Sequence, residues 1–230
     1  MNDSVVCFLP CRKGSQRVPK KNIRPFSNRE YGLLSIKIEQ ILSAEHIKSL
    51  VLSTNDEEII SYAQSVGDDR IVIHRRAELL SGSQTSTDEL VPHVADLIKD
   101  EHILWTHVTS PFVTSKVYDE MIVSYFEALP LGFDSLMSVN KLKGFVWDDD
   151  GPVNYDRSVE KWPRTQTLAP LNEINSAAFI ASSDIYIECG DRIGQKTYLY
   201  ETPGFTGFDI DWEEDFLIAE CLLEKKLVSL

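Results

Sequence analysis

Leu9-Pro-Cys-Arg-Lys-Gly-Ser-Gln-Arg-Val-Pro-Lys-Lys-Asn22 is the stretch on which the reading of this chain turns. It follows an apolar run, Val5 to Leu9, that reads as a first strand. Arg12, Lys13, Arg17, Lys20 and Lys21 crowd around the turn Gly14-Ser15, and Asp3 and Glu30 are the only acids among residues 1–30. The whole chain has a formal net charge of -13. A dense cationic loop at a strand end in an acidic chain asks for an anionic ligand, and a polyphosphate fits best. Glycine lets backbone N–H groups approach phosphate oxygens, while Arg and Lys neutralise the charge. The same composition also describes a solvated basic turn. Position favours the ligand, because open α/β sheets bind beyond the carboxyl ends of their strands. Neither GxxxxGK[ST] nor GxGxxG is present.

Outward from the loop, short apolar runs alternate with helical periodicity. Leu34, Ile38, Ile41 and Leu42 form one apolar helix face; Leu50 to Ser53 reads as a strand, Asp56 to Ser65 as a helix, and Ile71 to His74 as a strand. Ser86 with Glu89 has the form of a capping box before Leu90, Val91, Val94 and Leu97. Ile103 to Val108 is the next strand and Ser115 to Glu127 the next helix. This order implies right-handed βαβ units and a parallel sheet. The rhythm is expected to break after Asn140, leaving 141–171 as a protruding, irregular insertion. Ala177 to Ala181 and Thr197 to Tyr200 then return to the sheet, and Trp212 to Lys225 closes the chain as an amphipathic helix.

At 230 residues the chain is read as one domain over 1–230, with 43% hydrophobic and 26% charged residues, as in ordinary globular proteins. No apolar run approaches a membrane span, and the N-terminus lacks the pattern of a signal peptide. Cys7, Cys11, Cys189 and Cys221 form no CxxC pair and no zinc spacing, so free thiols in a reducing cytoplasm are expected. The acidic balance argues against nucleic-acid binding.

A second constellation is Gly207-Phe-Asp209-Ile-Asp211-Trp-Glu-Glu-Asp215. In extended backbone Asp209 and Asp211 face one side. Convergent carboxylates are costly without a cation between them, and oxygen ligands select Mg²⁺. Capping is the competing role: Asp211 with Glu214 fits a helix N-terminus, whereas Asp209 has no such use. Ser53 to Asp56 sits at a strand-to-helix junction that suits a cap or a ligand loop. Arg75 and Arg76 follow a strand and also suit a plain surface. His107, before Thr109-Ser110-Pro111, fits either a core or a site.

Taken in series, these residues resemble the acylneuraminate (CMP-sialic acid) cytidylyltransferase family. Its opening motif, roughly A-R-x-G-S-K-R-x-P-x-K-N, is matched by Cys11 to Asn22. Its later blocks are matched in order by Ser53 to Ile59, Arg75 to Leu80, His107 to Val113, Asn175 to Ile180 and Asp209 to Phe216. Cys11, Lys13, Gln16, His107, Val113 and Ser176 depart from the family pattern, so the phosphate and metal ends are kept better than the sugar end. The resemblance implies a Rossmann-like nucleotide-diphosphosugar transferase fold, a mainly parallel sheet flanked by helices, and a homodimer contacted through the insertion. It implies transfer of CMP from CTP to a nonulosonic acid with release of pyrophosphate. Another acceptor (Kdo, a polyol phosphate or a phosphonate) or a non-catalytic nucleotide-binding protein remains the alternative. By the same carry-over, Arg12 and Lys21 hold the triphosphate. Pro10, Cys11, Gly14, Ser15, Asn22, Arg75 and Ser86 place the nucleotide, Asp209 and Asp211 hold Mg²⁺, and His107, Lys141, Arg164 and Asn175 meet the sugar.

Overall fold

Val5–Pro10 (β1) is buried almost end to end without alternation, which is what a strand covered on both faces requires. The computed structural model describes residues 3–82 and 85–230. β1 is followed by α1 (Gly32–Ser43), β2 (Ile47–Thr54), α2 (Glu57–Val66), β3 (Ile71–Arg75), α3 (Thr87–Leu97), β4 (His102–Trp105) and α4 (Ser115–Ala128). The second half holds β5 (Ser135–Leu142), a ribbon of β6 (Trp147–Asp148) and β7 (Gly151–Pro152), β8 (Leu171–Ser182), α5 (Ser183–Cys189), β9 (Thr197–Glu201) and α6 (Glu213–Glu224). Seven strands form one sheet in the order β3-β2-β1-β4-β8-β5-β9. All pairs are parallel except those of β8, which runs against both β4 and β5. The order reverses between β1 and β4, the place where such sheets bind ligands. No helix among the described residues is long and apolar enough to cross a membrane.

The helix ends follow from local chemistry. Asp56 accepts the Glu58 N–H at 3.0 Å and starts α2, and Gly67 ends it at φ 70°. Ser86 and Glu89 form the expected reciprocal cap of α3. The helices bury one apolar cluster on each face of the sheet. One joins Leu34, Ile38 and Ile41 of α1 to Tyr118 and Met121 of α4 and Phe216 of α6. The other joins Leu90, Val91 and Val94 of α3 to Trp105, Phe179 and Tyr186.

Three expectations change. The strand expected to reach Val108 stops at Trp105, because its ladder to β8 ends at the Trp105–Phe179 pair and β8 swerves at Ser176, whose φ is 56°. The insertion narrows, since Lys141 and Leu142 still pair with Asn172 and Leu171. β5, where no strand was expected, extends the sheet across the break expected after Asn140. It carries Ser135 and Ser138 fully buried, which hides the apolar pattern of a core strand. Ser138 lies in an irregular register and its hydroxyl donates to Asn175 Oδ1 at 2.7 Å.

Lys37 of α1 is completely buried, donating to Ser110 O at 2.8 Å and Tyr118 Oη at 2.7 Å. Tyr118 in turn meets Thr106 at 2.7 Å, and Gln40 donates to Pro111 O at 2.7 Å. Thus α1 fixes the 106–111 segment from beneath. Burial pulls the Lys37 ammonium down to about 7. Below that pH the penalty for keeping the charge inside is fully present. It is relieved as pH rises, because the unfolded chain keeps binding a proton that the folded chain has released. Relative to Lys37→Met, the stability of the native protein should therefore be flat below pH 7. Above it, stability should climb by about 1.4 kcal/mol per pH unit towards the unfolded lysine value. Denaturant titrations of both proteins from pH 6 to 9 measure the difference.

Candidate active site at the strand-order reversal

The cationic loop leaves β1 at Pro10 and curls over the sheet edge. Arg12 Nη1 donates to Gly14 O at 3.2 Å, the Lys13 N–H to Asn55 Oδ1 at 2.9 Å, and Asn22 Nδ2 to Arg12 O at 3.3 Å. Gly14 takes φ 79°, a turn that a side chain would strain. The Lys21 N–H donates to Val18 O at 3.2 Å and the Ile23 N–H to Lys20 O at 2.9 Å, which turns the Lys21 stem inward. Lys21 is only 8% exposed. Its Nζ donates to Ile210 O at 2.7 Å and to Asp211 Oδ1 at 3.2 Å.

Opposite the loop, buried Ile210 pins its segment by donating its N–H to Thr109 O at 2.9 Å. Asp209 and Asp211 flank it. Asp211 Oδ1 also accepts from Arg17 at 2.8 Å, and the Arg17 guanidinium lies 5.0 Å over the Trp212 ring. Asp209 Oδ1 is buried with no hydrogen-bond partner among the described residues. Burial pushes the Asp209 carboxyl above the usual carboxylate range, the charge of Asp211 adds to the rise, and a bond from Thr109 opposes it. The competing capping role is not taken by Asp211. Asp215 Oδ2 accepts the N–H groups of Asp211 at 3.0 Å and Trp212 at 2.8 Å, so the Asp211 carboxylate is not used as a cap.

The loop separates two clefts. One, of about 420 Å³, opens towards the start of α2, and the other, of about 340 Å³, towards His107, Val108 and Thr109. Arg12, Ser15, Lys21 and Asn22 line both. Burial lowers the His107 imidazole to about 3, helped by the charges of Arg192 and Lys21, so it is neutral at physiological pH.

The remaining residues singled out in the sequence fall into place as follows. Pro10 and Gly14 line the clefts. Cys11 is fully buried with its thiol pushed up to about 12, so its side chain belongs to the core rather than to a nucleotide contact. Arg75 pairs with Glu57 at the surface, while its neighbour Arg76 is buried and donates to Ser53 Oγ at 3.0 Å and Ser53 O at 2.8 Å. Ser86 serves as the α3 cap. Lys141 pairs with Glu201 at 3.3 Å, and Arg164 is exposed in the insertion. Asn175 is a structural joint: it donates to Asn140 Oδ1 at 2.8 Å and Thr202 Oγ1 at 2.7 Å. A Cβ on Gly207 would collide with all three of these side chains. Arg17, Thr109 and the Ile210 carbonyl were not singled out. Arg17 was legible as one more cation of the loop, whereas a backbone carbonyl leaves no mark in sequence.

A strand-order reversal bearing a glycine-turned cationic loop bonded to one member of a carboxylate pair is an arrangement suited to nucleotidyl transfer. Comparison with known proteins bears this out. The cytidylyltransferase family model matches residues 6–199, and the chain belongs to that family. It is 30% identical over 224 residues to a pseudaminic acid cytidylyltransferase of Campylobacter jejuni subsp. jejuni serotype O:2, covering 94% of this chain and 95% of that one. It is 26% identical to a CMP-N,N'-diacetyllegionaminic acid synthase of the same organism, covering 98% and 97%. An N-acylneuraminate cytidylyltransferase of Streptococcus agalactiae serotype III is 26% identical, covering 92% of this chain and 51% of its own length. Among solved structures, a CMP:2-keto-3-deoxy-manno-octonic acid synthetase aligns with TM-score 0.67 at 13% identity, covering 97% and 99%. A 4-diphosphocytidyl-2C-methyl-D-erythritol synthase from Anaerococcus prevotii aligns with TM-score 0.69 at 14% identity, covering 97% of each chain. These structural likenesses show the fold alone, a mainly parallel sheet flanked by helices.

Proposed function

We propose that this protein transfers CMP from CTP to the anomeric hydroxyl of a nonulosonic acid and releases pyrophosphate. The names of its relatives support the acceptor class. The observation that carries the chemistry is Lys21, bonded at once to Ile210 O and Asp211, which ties the cationic loop to the carboxylate pair. Arg12 and Lys21 are assigned to the triphosphate. Both clefts meet at these residues, so CTP and sugar acid are placed on either side of the loop with the α-phosphate between them. Holding both reactants in line supplies much of the rate enhancement, and neutralising charge on the transferring group supplies the rest.

The carboxylate pair fits Mg²⁺. Asp209 offers a buried, unpartnered oxygen beside the Asp211 carboxylate. Among the described residues no three or more His, Cys, Asp or Glu side chains converge so that they could hold a metal ion, and Mg²⁺ typically takes one or two carboxylates with the rest from substrate phosphate and water. Bound there, Mg²⁺ would polarise the α-phosphate and favour ionisation of the attacking hydroxyl. Before it binds, Lys21 and Arg17 keep the Asp211 charge compensated.

The insertion is assigned to homodimer contact. It exposes Trp147, Val159 and Trp162, and the Phe145 ring lies 5.3 Å from Tyr155 and 5.6 Å from Trp162. The enzyme is placed in the cytoplasm, where the buried thiols of Cys7 and Cys11 stay reduced. The test is pyrophosphate release from CTP with Mg²⁺ across a panel of nonulosonic acids, Kdo, a polyol phosphate and a phosphonate. Turnover is expected with a nonulosonic acid. Turnover with Kdo or a phosphorylated polyol alone would reassign the acceptor, and release independent of any acceptor would overturn the reading.

A further inference from the structure

Arg192 lies in the 190–196 segment between α5 and β9, which no sequence motif covers. Its guanidinium packs 3.6 Å from the Phe179 ring centroid and 5.3 Å from that of Trp105. Trp105 and Phe179 are the last paired residues of β4 and β8, at the end of the sheet that carries the active site. The Trp105 ring lies 6.4 Å from that of His107, and His107 lines the cleft shared with Arg17 and Lys21. Of the charges that keep His107 neutral, Arg192 acts most strongly.

This arginine is half-buried, and although the charges of Asp191 and Asp88 are felt at its guanidinium, no carboxylate among the described residues comes within ion-pair distance of it. Among the described residues Asp191 is bonded to the Arg192 backbone N–H, at 2.6 Å, and not to its guanidinium. An arginine stays charged at any physiological pH, and a half-buried cation without a bonded anion is a ready site for one. Trp105 Nε1 and Tyr186 Oη, in the same cluster, are buried donors without partners among the described residues. Aromatic faces hold the guanidinium plane, leaving its edge to meet a planar anion.

We propose that Arg192, stacked on Phe179 and Trp105 next to the cleft that His107 lines, forms the subsite that receives the carboxylate of the sugar-acid acceptor. The proposal rests on the acceptor class argued above and deepens it. Lys141 and Arg164, the cations expected for that role, are respectively paired with Glu201 and exposed in the insertion.

The test compares a nonulosonic acid with its carboxamide as acceptors, using native protein and Arg192→Met, whose unbranched side chain keeps contact with the aromatic rings. Native protein should favour the acid by about 100-fold in kcat/KM, and Arg192→Met should reduce that preference to within about fivefold, the loss expected when one member of a desolvated charge pair is removed. KM for CTP should stay within about twofold, since Arg192 is assigned no phosphate. If Arg192→Met does not fold, Arg192→Lys should lower the preference by about tenfold, because a point charge replaces a planar fork. An unchanged acid-over-amide preference in a folded variant would overturn the assignment of Arg192. Absence of turnover with every sugar acid in native protein would instead remove the acceptor reading, and this subsite with it.

Discussion

Lys21→Met lowers kcat by roughly two to three orders of magnitude while KM for CTP shifts by less than about threefold. That result is expected because Lys21 is already in place. Its ammonium is held by Ile210 O at 2.7 Å and Asp211 Oδ1 at 3.2 Å, in a slot where the residue is 8% exposed. A cation fixed by the protein need not reorganise as charge grows on the transferring phosphoryl group and the departing pyrophosphate, so its effect is concentrated in the transition state. Arg12 contrasts with it. Among the described residues its guanidinium is held only by Gly14 O, at 3.2 Å, so Arg12→Ala should raise KM for CTP and lower kcat together. Methionine keeps the buried stem of Lys21, but the Ile210 carbonyl loses its donor, at a cost of about 1–3 kcal/mol. Steady-state kinetics well below the melting transition separate the two effects. Near-native turnover in Lys21→Met would leave the loop as a basic turn with no part in the reaction.

Asp211→Asn should abolish Mg²⁺-dependent turnover, and Asp209→Asn should impair it severely. The argument depends on what Asp211 does not do. The start of α6 is capped by Asp215, which accepts both the Asp211 and Trp212 N–H groups. Asp211→Asn therefore leaves the helix start intact. Asp215→Ala should cost about 1 kcal/mol of stability with little change in rate. Rate against Mg²⁺ concentration, Mn²⁺ binding as a metal probe, and thermal melts on the three variants give the pattern. A lower melting temperature with an intact Mg²⁺-dependent rate in Asp211→Asn would restore the capping role and remove the metal site.

The first half of the fold was legible because its signals are local. Unbroken apolar runs gave β1 to β3, and the Ser86–Glu89 cap gave the start of α3. β5 was not legible, because Ser135, Ser138 and Asn140 serve the inside of the sheet through bonds to partners far along the chain, such as Asn175. The reversed direction of β8 left no trace for the same reason: pairing direction depends on which neighbours a strand meets. At the site, residue types were readable and roles less so. The sequence could suggest that Asp211 was either a cap or a ligand, and only Asp215 turning back to the helix start separates them. Arg76 and Arg75 are adjacent and chemically identical, yet burial sends one to Ser53 and leaves the other at the surface.

The contact between Lys21 and Asp211 spans 190 positions. A chain emerging from the ribosome has its entire cationic loop early, but that loop has no floor until the segment around Ile210 docks against Thr109. Closing so long a loop is among the slower steps of folding, because its entropy is lost before the contact rewards it. Competence for nucleotide chemistry is thus withheld from every partly made or partly folded chain.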